Sequence, residues 1–129
     1  MCSAGLAGRS VLIAEDEPLI AMDIRTALEE LGAIVVTAGS LEAALKLARQ
    51  TKLSAAIVDF HLGGHRCDGL CTELSQRGVP FMFYTGGEVH DSDAPLVKKP
   101  ASMEAIIEVL QRLITSDDGG SDRTGGEAT

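Results

Sequence analysis

The apolar residues of this chain form two kinds of pattern that alternate along it. Short unbroken runs predict strands buried on both faces, and sets spaced three or four apart predict amphipathic helices. Val11-Leu12-Ile13-Ala14 is the first run, and it gives way at once to Glu15-Asp16-Glu17. Pro18 suits the first position of a helix, on which Ile20, Ile24, Ala27, Leu28 and Leu31 share a face as far as Gly32. A second strand is predicted over 33–37, and Ser40 can cap a helix with Leu41, Ala44, Leu45 and Ala48 on its apolar side. Ala55-Ala56-Ile57-Val58 is a third strand and leads straight into Asp59. Gly63-Gly64 marks a loop, Asp68 can cap a shorter helix to about Arg77, and Gly78 ends it. Residues 79–84 make a fourth strand ahead of Thr85-Gly86-Gly87. Leu96-Val97-Lys98 is a short fifth strand stopped at Lys99-Pro100. Ser102 can cap a last helix through Ile114, with Ile106, Ile107, Leu110, Leu113 and Ile114 facing inward.

Strands alternating with helices predict an α/β fold, a parallel sheet joined by right-handed crossovers. The predicted domain spans 10–115, preceded by a flexible lead over 1–9. From Ser116 onward the chain lacks any hydrophobic anchor, so 116–129 is expected to be a disordered tail. Nothing in that tail could form an output domain, so any effect is expected to pass through protein contacts. A chain of 129 residues fits one such domain, and its 45% apolar content is almost all aliphatic, with no Trp and one Tyr. The net charge of −8 and the pI near 4.7 argue against nucleic acid and anionic membrane surfaces as partners. No run reaches membrane-spanning length, the first nine residues do not resemble a signal peptide, and the three cysteines form no CxxC pair. A cytoplasmic protein with reduced thiols is expected.

Sites in such sheets lie outside the carboxyl ends of the strands. That rule gathers Glu15 and Asp16, then Asp59, Thr85 and Lys99 on one edge. Singly, each has a plain explanation: an acidic helix start, a capping Asp, a turn Thr, an exposed Lys. In order, at the ends of successive strands, they point to a site. Three carboxylates on one edge repel one another, and a hard divalent cation with oxygen ligands, Mg²⁺, resolves the repulsion. Mg²⁺ keeps several waters, so two carboxylates and a main-chain carbonyl suffice. His61, two residues past Asp59, is placed to supply that carbonyl. A carboxylate is also a nucleophile toward phosphorus. The phosphoryl group brings about −2 charge and three acceptor oxygens, which Mg²⁺, the Lys99 ammonium and the Thr85 hydroxyl can share. Gly86 and Gly87 permit close backbone approach.

The motifs VLIAEDEP, AAIVDFHLGG, PFMFYTGG and LVKKP together resemble the receiver domain of bacterial two-component response regulators, over residues 10 to 115. The FYTGG stretch is most similar to atypical single-domain receivers with a Phe-x-Thr-Gly-Gly motif. The resemblance implies a flavodoxin-like, doubly wound five-stranded parallel sheet with strand order 2-1-3-4-5. It also implies a phosphorelay role, with Asp59 taking a phosphoryl group from a sensor histidine kinase or phosphotransfer protein. By the same match Asp16 and Asp59 ligate Mg²⁺ directly, with the His61 carbonyl, and Glu15 does so through water. Thr85 is the switch hydroxyl and Lys99, rather than Lys98, the family's lysine. The chain is expected to be a monomer or weak dimer that signals through a separate effector protein, and not an enzyme acting on an external substrate.

Three departures from the family pattern stand out. Leu96 occupies the strand-five position where receivers usually carry an aromatic switch residue. Ala101 replaces the common Phe after Lys99-Pro100. The ten residues from Gly86 to Pro95 barely suffice for a crossover containing a helix, so the fourth helix is expected to be short, mobile or absent. Three other functions compete. His61, His65, Cys67 and Cys71 are zinc-type ligands, but not at a standard spacing. A receiver-fold binding module with weak or unused phosphorylation would keep the same architecture. A phosphate-ester hydrolase would need a general acid two residues after Asp59, where this chain has His61.

Overall fold

Four-residue aliphatic runs bury well only between two helical layers, and the chain builds that sandwich. The computed structural model describes residues 6–87, 89 and 93–124, from 117 onward by backbone alone. Its elements are β1 (Ser10–Ala14), α1 (Pro18–Glu30), β2 (Ile34–Ala38), α2 (Leu41–Gln50), β3 (Ala55–Val58), β4 (His61–Leu62), β5 (His65–Arg66), α3 (Asp68–Gln76), β6 (Phe81–Thr85), β7 (Leu96–Lys98) and α4 (Met103–Thr124). The main sheet has the order β2-β1-β3-β6-β7 and is parallel throughout. Counting its five strands alone, this is the 2-1-3-4-5 order of a flavodoxin-like fold. Strand order reverses beside β1, which opens a crevice between the carboxyl ends of β1 and β3.

The helices follow from spacing. On α1 the buried residues are Ala21, Ile24 and Leu28, and on α4 Ile106, Leu110 and Ile114, each set repeating every three or four positions. Alternate residues of the strands feed opposite cores. Val11, Ile13, Ile57, Met82 and Tyr84 pack with α1 and α4 on one face. Leu12, Ala14, Val58 and Phe83 pack with α2 and α3 on the other. Ser40 and Ser102 cap α2 and α4, their hydroxyls accepting from the amides of Ala43 and Ala105 at 3.1 Å.

Several expectations are corrected. Residues 6–9 are not a free lead: Leu6 is fully buried, and the Gly8 amide donates to the Gly32 carbonyl at 2.9 Å. A single Leu leaves no periodic signal, which is why the pattern misses it. Residues 1–5 of that lead lie outside the described residues. Gly63 and Gly64, both at positive φ, join the two-residue strands β4 and β5 into an antiparallel hairpin where a plain loop is expected. Asp68 is the first residue of α3 rather than its cap. Cys67 holds the cap position, and Asp68 pairs with Arg66 at 2.9 Å. The backbone of α4 runs to Thr124, ten residues past Ile114, where the apolar pattern ends the predicted helix. Residues 125–129 lie outside the described residues.

Among the described residues no helix joins β6 to β7, as the short connection predicts. Glu88 and residues 90–92 of that connection lie outside the described set. No helix among the described residues is long and apolar enough to cross a membrane.

Phe83, from the centre of β6, is almost fully buried and meets Phe60 and Phe81 edge to face at centroid distances of 5.5 and 5.6 Å. Truncation there leaves a cavity under the site. Phe83→Ala is expected to lower stability by about 3–5 kcal/mol, read as a fall in the urea midpoint at unchanged slope.

Candidate functional site

Each residue of the site sits at or just beyond the end of a strand and is still held by the ladder. The Glu15 amide donates to Ala38 O at 3.0 Å, the Asp59 amide to Ala14 O at 2.9 Å, and the Lys99 amide to Thr85 O at 3.0 Å. The sheet register, not loop flexibility, fixes where these side chains begin. Loops begin only after the acids are placed.

The side chains then close on one another. Asp59 Oδ1 accepts from the Thr85 hydroxyl at 2.8 Å and from the His61 amide at 3.3 Å. Asp59 Oδ2 accepts from Lys99 Nζ at 3.0 Å. The same ammonium lies 2.8 Å from Glu15 Oε1, and Glu15 Oε2 accepts from the Glu17 amide at 3.0 Å. Among the described residues, Glu15, Asp59 and Thr85 are the buried polar ones, and each has a partner. Asp16 is exposed, yet Glu15, Asp16 and Asp59 bring carboxylate oxygens within 4.8 Å of one another. A cleft of about 280 Å³ opens beside these acids, lined in part by Asp16, Pro18, Met22, Arg25 and Gly39.

Burial pushes the Glu15 carboxyl above its ordinary range, against the opposing hydrogen bonds from Lys99 and the Glu17 amide. For Lys99, burial pulls the ammonium down, but the hydrogen bonds to Glu15 and Asp59 outweigh it and the net shift is upward. Lys99 therefore stays charged and serves as the counter-ion of two carboxylates at once. An all-oxygen acidic cluster of this kind suits a hard cation such as Mg²⁺ better than a soft one.

Of the residues singled out from sequence, Glu15, Asp59, Thr85 and Lys99 form one hydrogen-bonded set, with Asp16 at its rim. His61 contributes its amide to Asp59, while its ring is exposed. Leu96 is exposed on β7 and belongs to neither core. Lys98 points to solvent. The zinc-type set does not converge: among the described residues the acidic trio is the only group of three or more metal-competent side chains.

One participant escapes a reading of the sequence, and one foreseen close approach gains its partner. Tyr84 lies with its ring 5.6 Å from the Lys99 ammonium, and its hydroxyl accepts from the Ala101 amide at 3.3 Å. It thereby steadies the turn that carries the lysine, and the only sequence trace of this is its place one residue before Thr85. Gly87 runs so close to the His61 imidazole that an added Cβ would sit 3.1 Å from the ring, a tight approach that composition alone does not reveal.

The open parallel sheet with an acid–lysine constellation at its carboxyl edge defines a receiver-type α/β domain. The model of the response regulator receiver domain matches residues 11–111, and the chain belongs to that family. Among solved structures, SdrG from Sphingomonas melonis Fr1 is 34% identical, with 86% of this chain and 98% of that one covered at a TM-score of 0.72. The response regulator PhyR from Brucella abortus is 25% identical at a TM-score of 0.80, with 97% of this chain and 55% of that one covered, so this chain spans about half of it. A CheY-like receiver domain protein from Methanospirillum hungatei JF-1 shares the fold at 18% identity and a TM-score of 0.80, over 88% of this chain and 98% of that one. No curated protein gives a significant sequence match.

Removing the shared cation should expose the repulsion it holds in check. Lys99→Ala is expected to cost about 2 kcal/mol, less than a fully buried pair because the ammonium is partly solvated. Millimolar Mg²⁺ should restore more stability to the variant than it adds to the wild type. Thermal unfolding with and without Mg²⁺ tests this, and equal Mg²⁺ effects on both proteins would contradict it.

Proposed function

We propose that this chain is a phosphorelay receiver that accepts a phosphoryl group on Asp59 from the phosphohistidine of a sensor kinase or phosphotransfer protein. The observation that carries the proposal is the Asp59 carboxylate itself. It is held at a strand end by both the Thr85 hydroxyl and the Lys99 ammonium, with two further acids beside it. Membership of the receiver family supports the same reading.

In this reading an Asp59 oxygen attacks phosphorus, the phosphorus–nitrogen bond of the donor breaks, and the imidazole leaves with the electron pair. Asp16, Asp59 and the His61 carbonyl would hold Mg²⁺, with Glu15 acting through water. Bound Mg²⁺ supplies positive charge against the phosphoryl oxygens. Lys99 then exchanges a carboxylate partner for a phosphoryl oxygen, and the Thr85 hydroxyl turns from Asp59 to donate to another. Both donors are already in place, so little reorganisation accompanies the transfer. Met22, 58% exposed, lines the cleft next to Asp16, and Leu19, 73% exposed, stands three residues before it on α1, giving an apolar pair on which a donor protein can dock. PhyR of Bartonella quintana is an anti-anti-sigma factor of which this chain spans 52%, which favours output through protein contacts here too.

Incubation with acetyl phosphate and Mg²⁺ should add the mass of one phosphoryl group, lost in Asp59→Asn and on chelation. Absence of any gain with acetyl phosphate or with a phosphorylated partner would favour a binding module in which phosphorylation is unused. Leu19→Asp combined with Met22→Asp should slow transfer from a protein donor at least tenfold while leaving acetyl phosphate labelling intact. Equal loss with both donors would remove the docking role.

A further inference from the structure

The described residues contain a second reactive group, away from the Asp59 carboxylate. Cys67 and Cys71 lie at the start of α3 with their sulfurs 3.7 Å apart. Cys67 holds the N-cap position without a side-chain cap bond, and the Cys71 amide donates to its carbonyl at 3.0 Å, so the two residues span one turn. Four residues of helical rise separate their Cα atoms by about 6 Å. That falls within the roughly 4.4–6.8 Å over which disulfides form. Bond formation needs the sulfurs to close by about 1.7 Å, from 3.7 Å to the usual length of about 2.05 Å.

The two thiols are not equivalent. Cys67 is fully buried in the core that holds Phe60, Leu62 and Leu70, and its amide donates to the Phe60 carbonyl at 2.9 Å. Cys71 is only half-buried, and a helical side chain leans toward the N-terminus, where the positive end of the helix favours a thiolate. The contact between the two sulfurs draws the Cys71 thiol down, against burial and the nearby Asp68 carboxylate. The same contact, with burial second, pushes the Cys67 thiol up. One sulfur is partly open to solvent, and the other lies buried 3.7 Å behind it.

We propose that Cys67 and Cys71 are a peroxide-reactive dithiol, with Cys71 the attacked sulfur and Cys67 the resolving one. The Cys71 thiolate attacks a peroxide oxygen, the oxygen–oxygen bond breaks, and the departing hydroxide takes up a proton, leaving a sulfenic acid. The Cys67 sulfur then attacks the sulfenic sulfur. The sulfur–sulfur bond forms and the hydroxyl leaves as water with the Cys67 proton. In sum, two thiols and one hydrogen peroxide become a disulfide and two waters. A thiol reductant reverses the change.

The test uses the full chain carrying Cys2→Ser, which leaves only this pair. Stoichiometric hydrogen peroxide should lower the intact mass by two hydrogens and block maleimide labelling of the denatured protein, and dithiothreitol should restore both. Gain of oxygen atoms alone, disulfide-linked dimers, or two free thiols would overturn the proposal. In the same background, Cys67→Ala should trap a dimedone adduct on Cys71 at several times the yield seen on Cys67 in Cys71→Ala. Equal or reversed yields would overturn the assignment of roles. Should the buried substitution disturb folding by circular dichroism, the mass change of the intact pair still decides whether the disulfide forms.

Discussion

Like charges gathered at the end of a sheet are costly to fold, and the placement of Lys99 answers that cost. Glu15 and Asp59 are buried carboxylates on neighbouring strands, and one ammonium lies within 3.0 Å of both. The lysine reaches them because β7 pairs with β6 in parallel, so that Lys99 follows the strand end beside Thr85. Shift that register and the two acids lose their counter-ion. The edge is thus stable as an ion-paired set, and each of its charges is left with a partner it can give up.

Much of this was legible in the chain because burial on both faces writes itself plainly. The runs at 11–14 and 55–58 emerged as central strands, and the acids that follow them stand where the rule of carboxyl ends puts them. Choosing Lys99 over Lys98 rested on the family's lysine standing directly before the proline, with the alternation of strand side chains in support. What the sequence hid is non-local or carried by the backbone. Leu6 is one residue without a pattern. The β4–β5 hairpin is too short to show alternation, and the cap of α3 is a cysteine, a residue type rarely expected there. The approach of Gly87 to His61 joins two loops and exists only after folding.

The region between β6 and β7 sets this domain apart from the pattern its motifs suggest. Leu96 is exposed where an aromatic residue usually mediates the response. Beside it, Pro95 with Val109, Arg112 and Leu113 borders a shallow pocket of about 190 Å³. Among the described residues, the side of the domain formed by the start of β7 and α4 therefore offers a largely aliphatic surface.

The two margins of the sheet differ in how they meet other chains. β7 is three residues long, carries Lys98 outward and stops at a proline, which makes it a poor template for strand addition. β2, at the opposite margin, runs five residues and displays Ile34, 57% exposed, at its start. Any self-association through β-pairing will begin along β2, far from Lys99. A charged substitution at Ile34 is accordingly the place to improve colloidal behaviour without touching the acids.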